Sequence, residues 1–183
     1  TAIDERLGWS WGIVGHLMGV KNSPQLREAY QQMQPEVIKF YTKLSQSKPL
    51  YEAFKGIKEG AEWNELEPAQ KRIVESSLRD FELSGVGLSG ETKERFNQIQ
   101  LESGELSTKF SNNVLDATKA FKLKLTDKQD VEGLPPSALG LMAQTAKAEG
   151  EEDATPENGP WVVTLDYPSY IPYMKYATNR ELR

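Results

Sequence analysis

Apolar residues recur at steps of three and four along most of the chain, the spacing of one stripe on a helix. The longest stripe runs Phe96, Ile99, Ser103, Leu106, Phe110, Val114, Ala117 and Phe121, and predicts a helix over Glu94–Phe121 that buries this face. Ahead of it, Leu7, Trp11, Val14 and Met18 predict a helix over Ile3–Lys21. Gly8, Gly12, Gly15 and Gly19 each lower its propensity by roughly 1 kcal/mol against Ala, so it needs neighbours. Ser23-Pro24 is a cap followed by a proline at the first helical position, and opens a helix to about Ser45. Its stripe is Leu26, Tyr30, Met33, Val37, Tyr41 and Leu44, and Pro35 predicts a kink or break. Ser47-Lys48-Pro49 repeats the signal and opens a helix carrying Leu50, Phe54 and Ile57, ended by Gly60. Glu65-Leu66-Glu67-Pro68 starts a fourth, with Ile73, Val74, Ser77, Leu78 and Phe81 on its buried side.

Beyond the long helix the period changes to two. Phe121, Leu123 and Leu125 alternate with Lys122, Lys124 and Thr126, a half-buried strand whose partner is Trp161–Asp166. Two strands need helices to lie against. Pro135-Pro136 leads into one such helix through Leu139, Met142, Ala143 and Ala146. Residues 149–160, EGEEDATPENGP, read as a mobile acidic loop. Tyr170–Tyr176 is a short helix, and Thr178-Asn179-Arg180-Glu181 has the spacing of a capping box that announces another. The fold class is therefore mainly α: antiparallel helical hairpins with one small antiparallel β ribbon, residues 1–183 forming a single helical domain. The announced helix is cut short, which reads as a chain continuing into a longer protein.

Composition narrows the chemistry. Of 183 residues, 38% are hydrophobic and 27% charged, an ordinary globular balance. A net charge of −5 without a basic run argues against nucleic acid as a partner. Cysteine is absent, so disulfides, thiolate metal sites and cysteine nucleophiles are excluded. No apolar run reaches the roughly 18 residues of a membrane span, so no membrane insertion is expected.

Candidate sites fall by subtraction. A zincin helix needs two histidines four apart with a glutamate between them; this chain has one histidine, His16, followed by Leu17-Met18-Gly19-Val20. No Gly-x-Ser-x-Gly elbow occurs for a serine triad. The glycine loop Gly85–Gly90 follows a helix, not a strand, and has no Lys-Ser/Thr after it, so it reads as a C-cap and turn between antiparallel helices. Glu151, Glu152 and Asp153 have no apolar wall to raise a pKa, and read as a solvated loop. The expected catalytic and metal residues are therefore none, with no cofactor held by this chain.

Four ordered blocks carry a family resemblance. They are LRDFELSGVGL at 78–88, KFSNNVLDAT at 109–118, GLPPSAL at 133–139 and LDYPSYIP at 165–172. In order they resemble the N-terminal half of oligopeptidase A, of the thimet oligopeptidase family of zinc metallopeptidases (family M3). Pro135–Leu141 and Glu157–Trp161 look closest to plant and algal members. The resemblance implies a helical region forming one wall of a deep channel that admits short peptides, with the zinc ligands and general base further along the chain. It implies Zn as the cofactor of the full-length enzyme and a missing catalytic half, or a host assembly, as partner. Organellar members clear cleaved targeting peptides and other short peptides; chloroplast, mitochondrial matrix and cytosol all remain open. Two readings follow: a non-catalytic channel-wall portion of such an enzyme, or a naturally short, inactive relative acting as a helical interaction module. Ser111, Asn112, Asn113 and Asp116 either face the channel or bond to local backbone and solvent, and the peptide-binding residues are unknown.

Overall fold

A computed structural model describes residues 2–183. Seven α-helices and two strands follow in the order α1 (Ala2–Val20), α2 (Pro24–Ser45), α3 (Lys48–Glu59), α4 (Pro68–Leu83), α5 (Gly90–Ala120), β1 (Lys122–Leu125), α6 (Pro136–Ala148), β2 (Trp161–Thr164) and α7 (Tyr167–Tyr176). The chain is mainly α, with one two-stranded antiparallel sheet. It separates into two compact units, Thr1–Lys109 and Phe110–Arg183, with α5 running through the boundary.

In the first unit, the sequence signals open the helices where expected. Ser23 Oγ accepts from the Leu26 amide at 3.2 Å, and α2 then runs unbroken through Pro35. The Glu67 amide donates to Gln70 Oε1 at 2.9 Å at the start of α4. That helix ends on Gly85, whose φ of +82° a residue with a Cβ adopts at a cost. The Val86 amide returns to Phe81 O and the Gly85 amide to Glu82 O, closing the last turn as a Schellman motif.

Neighbouring helices run antiparallel, as residue pairs show. Trp11 stacks on Tyr30 at 4.5 Å while Gly8 faces the Tyr41 hydroxyl, setting α1 against α2. Phe54 meets Phe81 at 5.9 Å and Lys58 meets Glu75 at 3.6 Å, setting α3 against α4. Gln34 Nε2 donates to Gly104 O and Thr108 Oγ1, and Gln46 Nε2 to Asn97 Oδ1, setting α2 against α5.

That last pairing overturns one expectation. The face α5 turns inward passes through Asn97, Leu101, Gly104 and Thr108, and not through the longer apolar stripe. Ile99 and Leu106 are 45% and 64% exposed. The two faces differ by two residues in phase, about 200° around the helix. Gly104 is the reason. A Cβ there would lie 2.3 Å from Ile38 Cδ1, so α2 approaches α5 over the one position that offers no side chain. Ile73, expected on the buried side of α4, is likewise exposed, and Val74 and Leu78 take the inward positions.

The second unit is built on the ribbon. β1 pairs antiparallel with β2, Leu123 opposite Val163 and Leu125 opposite Trp161. Leu125, Val131, Met142, Ala146, Trp161 and Tyr173 form its core, with α6 and α7 lying on β2. Phe121, expected in the buried set of the first strand, precedes β1 and is 43% exposed; the second strand stops at Thr164. The loop 149–160 folds back on itself: Thr155 and Gly159 exchange backbone hydrogen bonds, Ala154 is buried, and Trp161 Nε1 donates to Pro156 O at 3.1 Å.

The tail binds both distant and local partners. Thr178 binds Glu132 through both its amide and its hydroxyl, Asn179 Nδ2 donates to Asp130 Oδ1, and the segment stays a turn. Asn179 Oδ1 also accepts from the Glu181 amide at 3.2 Å, a local bond of the kind that opens a helix.

Candidate functional site

The residues that most invite a chemical reading are dispersed. His16 lies exposed on α1. Glu149 and Glu151 pair with Lys122 and Lys124 along the ribbon edge, so part of the acidic loop neutralises a lysine row. Gly85 and Gly87 lie in the helix stop and turn between α4 and α5, and Gly90 is the first residue of α5. Among the described residues no group of three or more His, Cys, Asp or Glu is placed to hold a metal ion. With one histidine and no cysteine, the donor set does not fit a catalytic zinc. Of the four polar residues on α5, Ser111, Asn113 and Asp116 are exposed, while Asn112 is buried at 9%.

What the structure does assemble is outward-facing apolar surface, unit by unit. In the first unit, Trp9, Ile13 and Val20 stand 71%, 59% and 67% exposed on the side of α1 away from Leu7, Trp11 and Val14. Ile99 and Leu106 continue such surface on α5. In the second unit, Phe110 and Val114 are 70% and 50% exposed, and Tyr167 is 75% exposed at the start of α7. Scattered exposed apolar residues are normal, but a helical stripe of large ones is the mark of an interaction surface. Fully burying a Leu or Phe contributes roughly 1.5–3 kcal/mol, so this surface is a substantial unrealised driving force.

An open groove of about 890 Å³ also lies in the first unit, lined by the apolar Ile38, Leu44, Phe81 and Phe96 and by Asp80. The stripe on α5 was legible in the sequence as an apolar face; its direction was not. The signal for direction lay in Gly104 and Thr108, small residues that mark where another helix comes close.

The chain is thus a mainly helical protein with apolar stripes turned outward. The family model for the N-terminal domain of neurolysin/thimet oligopeptidase matches residues 1–93, just over half of the chain, and the chain belongs to that family. It is 52% identical over 181 residues to the organellar oligopeptidase A, chloroplastic/mitochondrial, of Arabidopsis thaliana, covering 99% of this chain and 23% of that protein. It is 52% identical to a probable cytosolic oligopeptidase A of the same plant, covering 99% and 26%. Oligopeptidase A of Haemophilus influenzae is 43% identical, covering 100% and 26%. The higher plant identity agrees with the plant-like blocks at 135–141 and 157–161. The chain spans about a quarter of the length of these relatives, less than the half its matching blocks suggested. No helix among the described residues is long and apolar enough to cross a membrane.

Proposed function

We propose that this chain is the non-catalytic, channel-wall portion of a zinc-dependent oligopeptidase that hydrolyses short peptides. The observation that carries the reading is the outward stripe on α5, Ile99 and Leu106 in one unit and Phe110 and Val114 in the other. In a free-standing protein such side chains would face water. In a polypeptide about four times as long they have an apolar partner, the remaining three quarters that include the zinc-bearing catalytic region. This chain then contributes wall and size selection, and the remainder contributes metal and general base. Of the compartments, the names of the plant relatives support chloroplast, mitochondrion or cytosol alike.

Complementation tests this. The 183-residue chain and the catalytic remainder are expressed as separate polypeptides, and cleavage of a quenched short peptide is followed. Neither piece alone is expected to turn the peptide over; the mixture is. Leu106→Asp with Phe110→Asp is expected to abolish the recovered activity while leaving the far-ultraviolet circular dichroism of the chain unchanged. Turnover by the chain alone, or full complementation by the double aspartate variant, overturns the reading.

A further inference from the structure

The first unit holds a second, smaller groove of about 450 Å³, where α2, the start of α3 and α5 come together. Lys39, Lys43, Lys48 and Lys93 line it, and no carboxylate does. In a chain of net charge −5 this is a local reversal of sign. Lys39 is paired with Glu36 at 2.8 Å. Lys43, Lys48 and Lys93 take part in no ion pair among the described residues. Ammonium groups gathered round a concave site without counter-charges repel one another unless an anion enters.

The uncharged wall of the groove is set by a short relay. Gln46 is 6% exposed, and its Nε2 donates to Ser84 O at 3.0 Å and to Asn97 Oδ1 at 2.8 Å. A backbone carbonyl only accepts, so the nitrogen of Gln46 must face Ser84. The same nitrogen faces Asn97, so Asn97 must turn its oxygen toward it. That fixes the rotation of the Asn97 carboxamide and leaves its Nδ2 as a donor without an acceptor among the described residues. Beside it, α3 begins at Lys48, and its N-cap residue Ser47 makes no side-chain capping bond, so the Lys48 and Leu50 amides are uncapped and the positive end of the helix adds to the lysines. Ile38 and Leu101 supply apolar floor.

We propose that this groove is a binding site for a small anion of two or more negative charges, phosphate- or carboxylate-bearing. Lys43, Lys48 and Lys93 supply charge and Asn97 Nδ2 supplies a fixed hydrogen-bond donor. The site is separate from the apolar stripe of α5 and does not depend on the oligopeptidase reading. Lysines act here as point charges that tolerate several anion geometries, while the oriented carboxamide gives the site a preferred pose.

Isothermal titration calorimetry on the protein as its host makes it tests the proposal, with inorganic pyrophosphate in one arm and citrate in the other, at low ionic strength. Saturable one-to-one binding of at least one anion is expected, weakening as salt is raised. Pyrophosphate alone identifies a phosphate ligand, citrate alone a carboxylate ligand, and both a site that reads charge. Asn97→Asp keeps an oxygen for Gln46 and nearly the same shape but replaces the donor with negative charge. It is expected to weaken binding by about tenfold or more. Lys48→Ala with Lys93→Ala, both on the groove surface, is expected to do the same without altering the unfolding midpoint. Lys71→Ala, outside the groove, is expected to change nothing. Failure of both anions to bind, or binding that survives both Asn97→Asp and the lysine pair, overturns the proposal.

Discussion

Replacing Gly104 by alanine sets two effects of known sign against each other. Alanine stabilises a helix interior by about 1 kcal/mol over glycine. Its Cβ, however, would sit 2.3 Å from Ile38 Cδ1 and 3.6 Å from Gln34 Nε2. The first distance is far inside van der Waals contact, so Ile38 must leave its rotamer or α2 must move away from α5. Overpacking of this kind costs about 1–3 kcal/mol. Taking about 2 kcal/mol as central, Gly104→Ala is expected to destabilise the chain by about 1 kcal/mol. The decisive background is Ile38→Val, which removes the offending Cδ1 at its own cost of about 0.5–1.5 kcal/mol. There the clash is gone and Gly104→Ala is expected to stabilise by up to about 1 kcal/mol, a reversal of sign and a coupling energy near 2 kcal/mol. Equilibrium urea unfolding of the four proteins of this cycle, followed by circular dichroism, measures it. A stabilising Gly104→Ala in the unaltered chain, additive with Ile38→Val, would refute the close approach of α2 and α5. With it would go the reason the apolar stripe of α5 faces outward.

Two further outcomes concern the second unit. Gly133 has a φ of +89°, and a Cβ there would meet Tyr176 O, a backbone atom, at 2.3 Å; Gly133→Ala is expected to cost about 3 kcal/mol by chemical denaturation. Tyr173 is buried and donates to Asp130 O at 3.1 Å. Burial raises its pKa above the ordinary value, with the Asp130 charge adding to the shift. A group whose pKa is raised on folding contributes stability that is fully present below its unfolded pKa and lost as pH climbs through the folded one. Unfolding midpoints are therefore expected to fall above about pH 10, and Tyr173→Phe to flatten that fall; an unchanged alkaline slope in the variant would count against the assignment.

The boundaries of the helices were legible because their signals are local. Ser23-Pro24, Pro68 and Gly85 act within one turn of where they stand, and each helix begins or ends where they say. The ribbon was legible for the same reason, since alternation at Leu123 and Leu125 needs only the chain itself. The direction of a helix face is a tertiary property. On α5, Ile99, Leu106 and Phe110 outweigh Asn97, Gly104 and Thr108 on any hydrophobic scale, yet the small and polar set faces α2, because close approach and the bonds from Gln34 and Gln46 decide the contact. A periodic stripe identifies a face that seeks apolar company, and in this chain that company is not supplied by its own helices. The tail shows the same limit: Thr178 and Asn179 read as local signals, yet they also bind Glu132 and Asp130, which are distant in sequence. The lysine groove was invisible because its members are scattered from Lys39 to Lys93 and are gathered only by folding.

Whether the outward stripe of α5 is an internal interface can be read directly by hydroxyl-radical footprinting. The 183-residue chain and the longest natural polypeptide containing it are labelled side by side, and oxidation at Phe110 and Leu106 is quantified by mass spectrometry. Strong labelling of Phe110 and Leu106 in the short chain and protection of both by about tenfold or more in the long one is the expected result. Equal labelling of the two residues in both proteins would contradict it, and would leave the stripe facing water in the complete molecule.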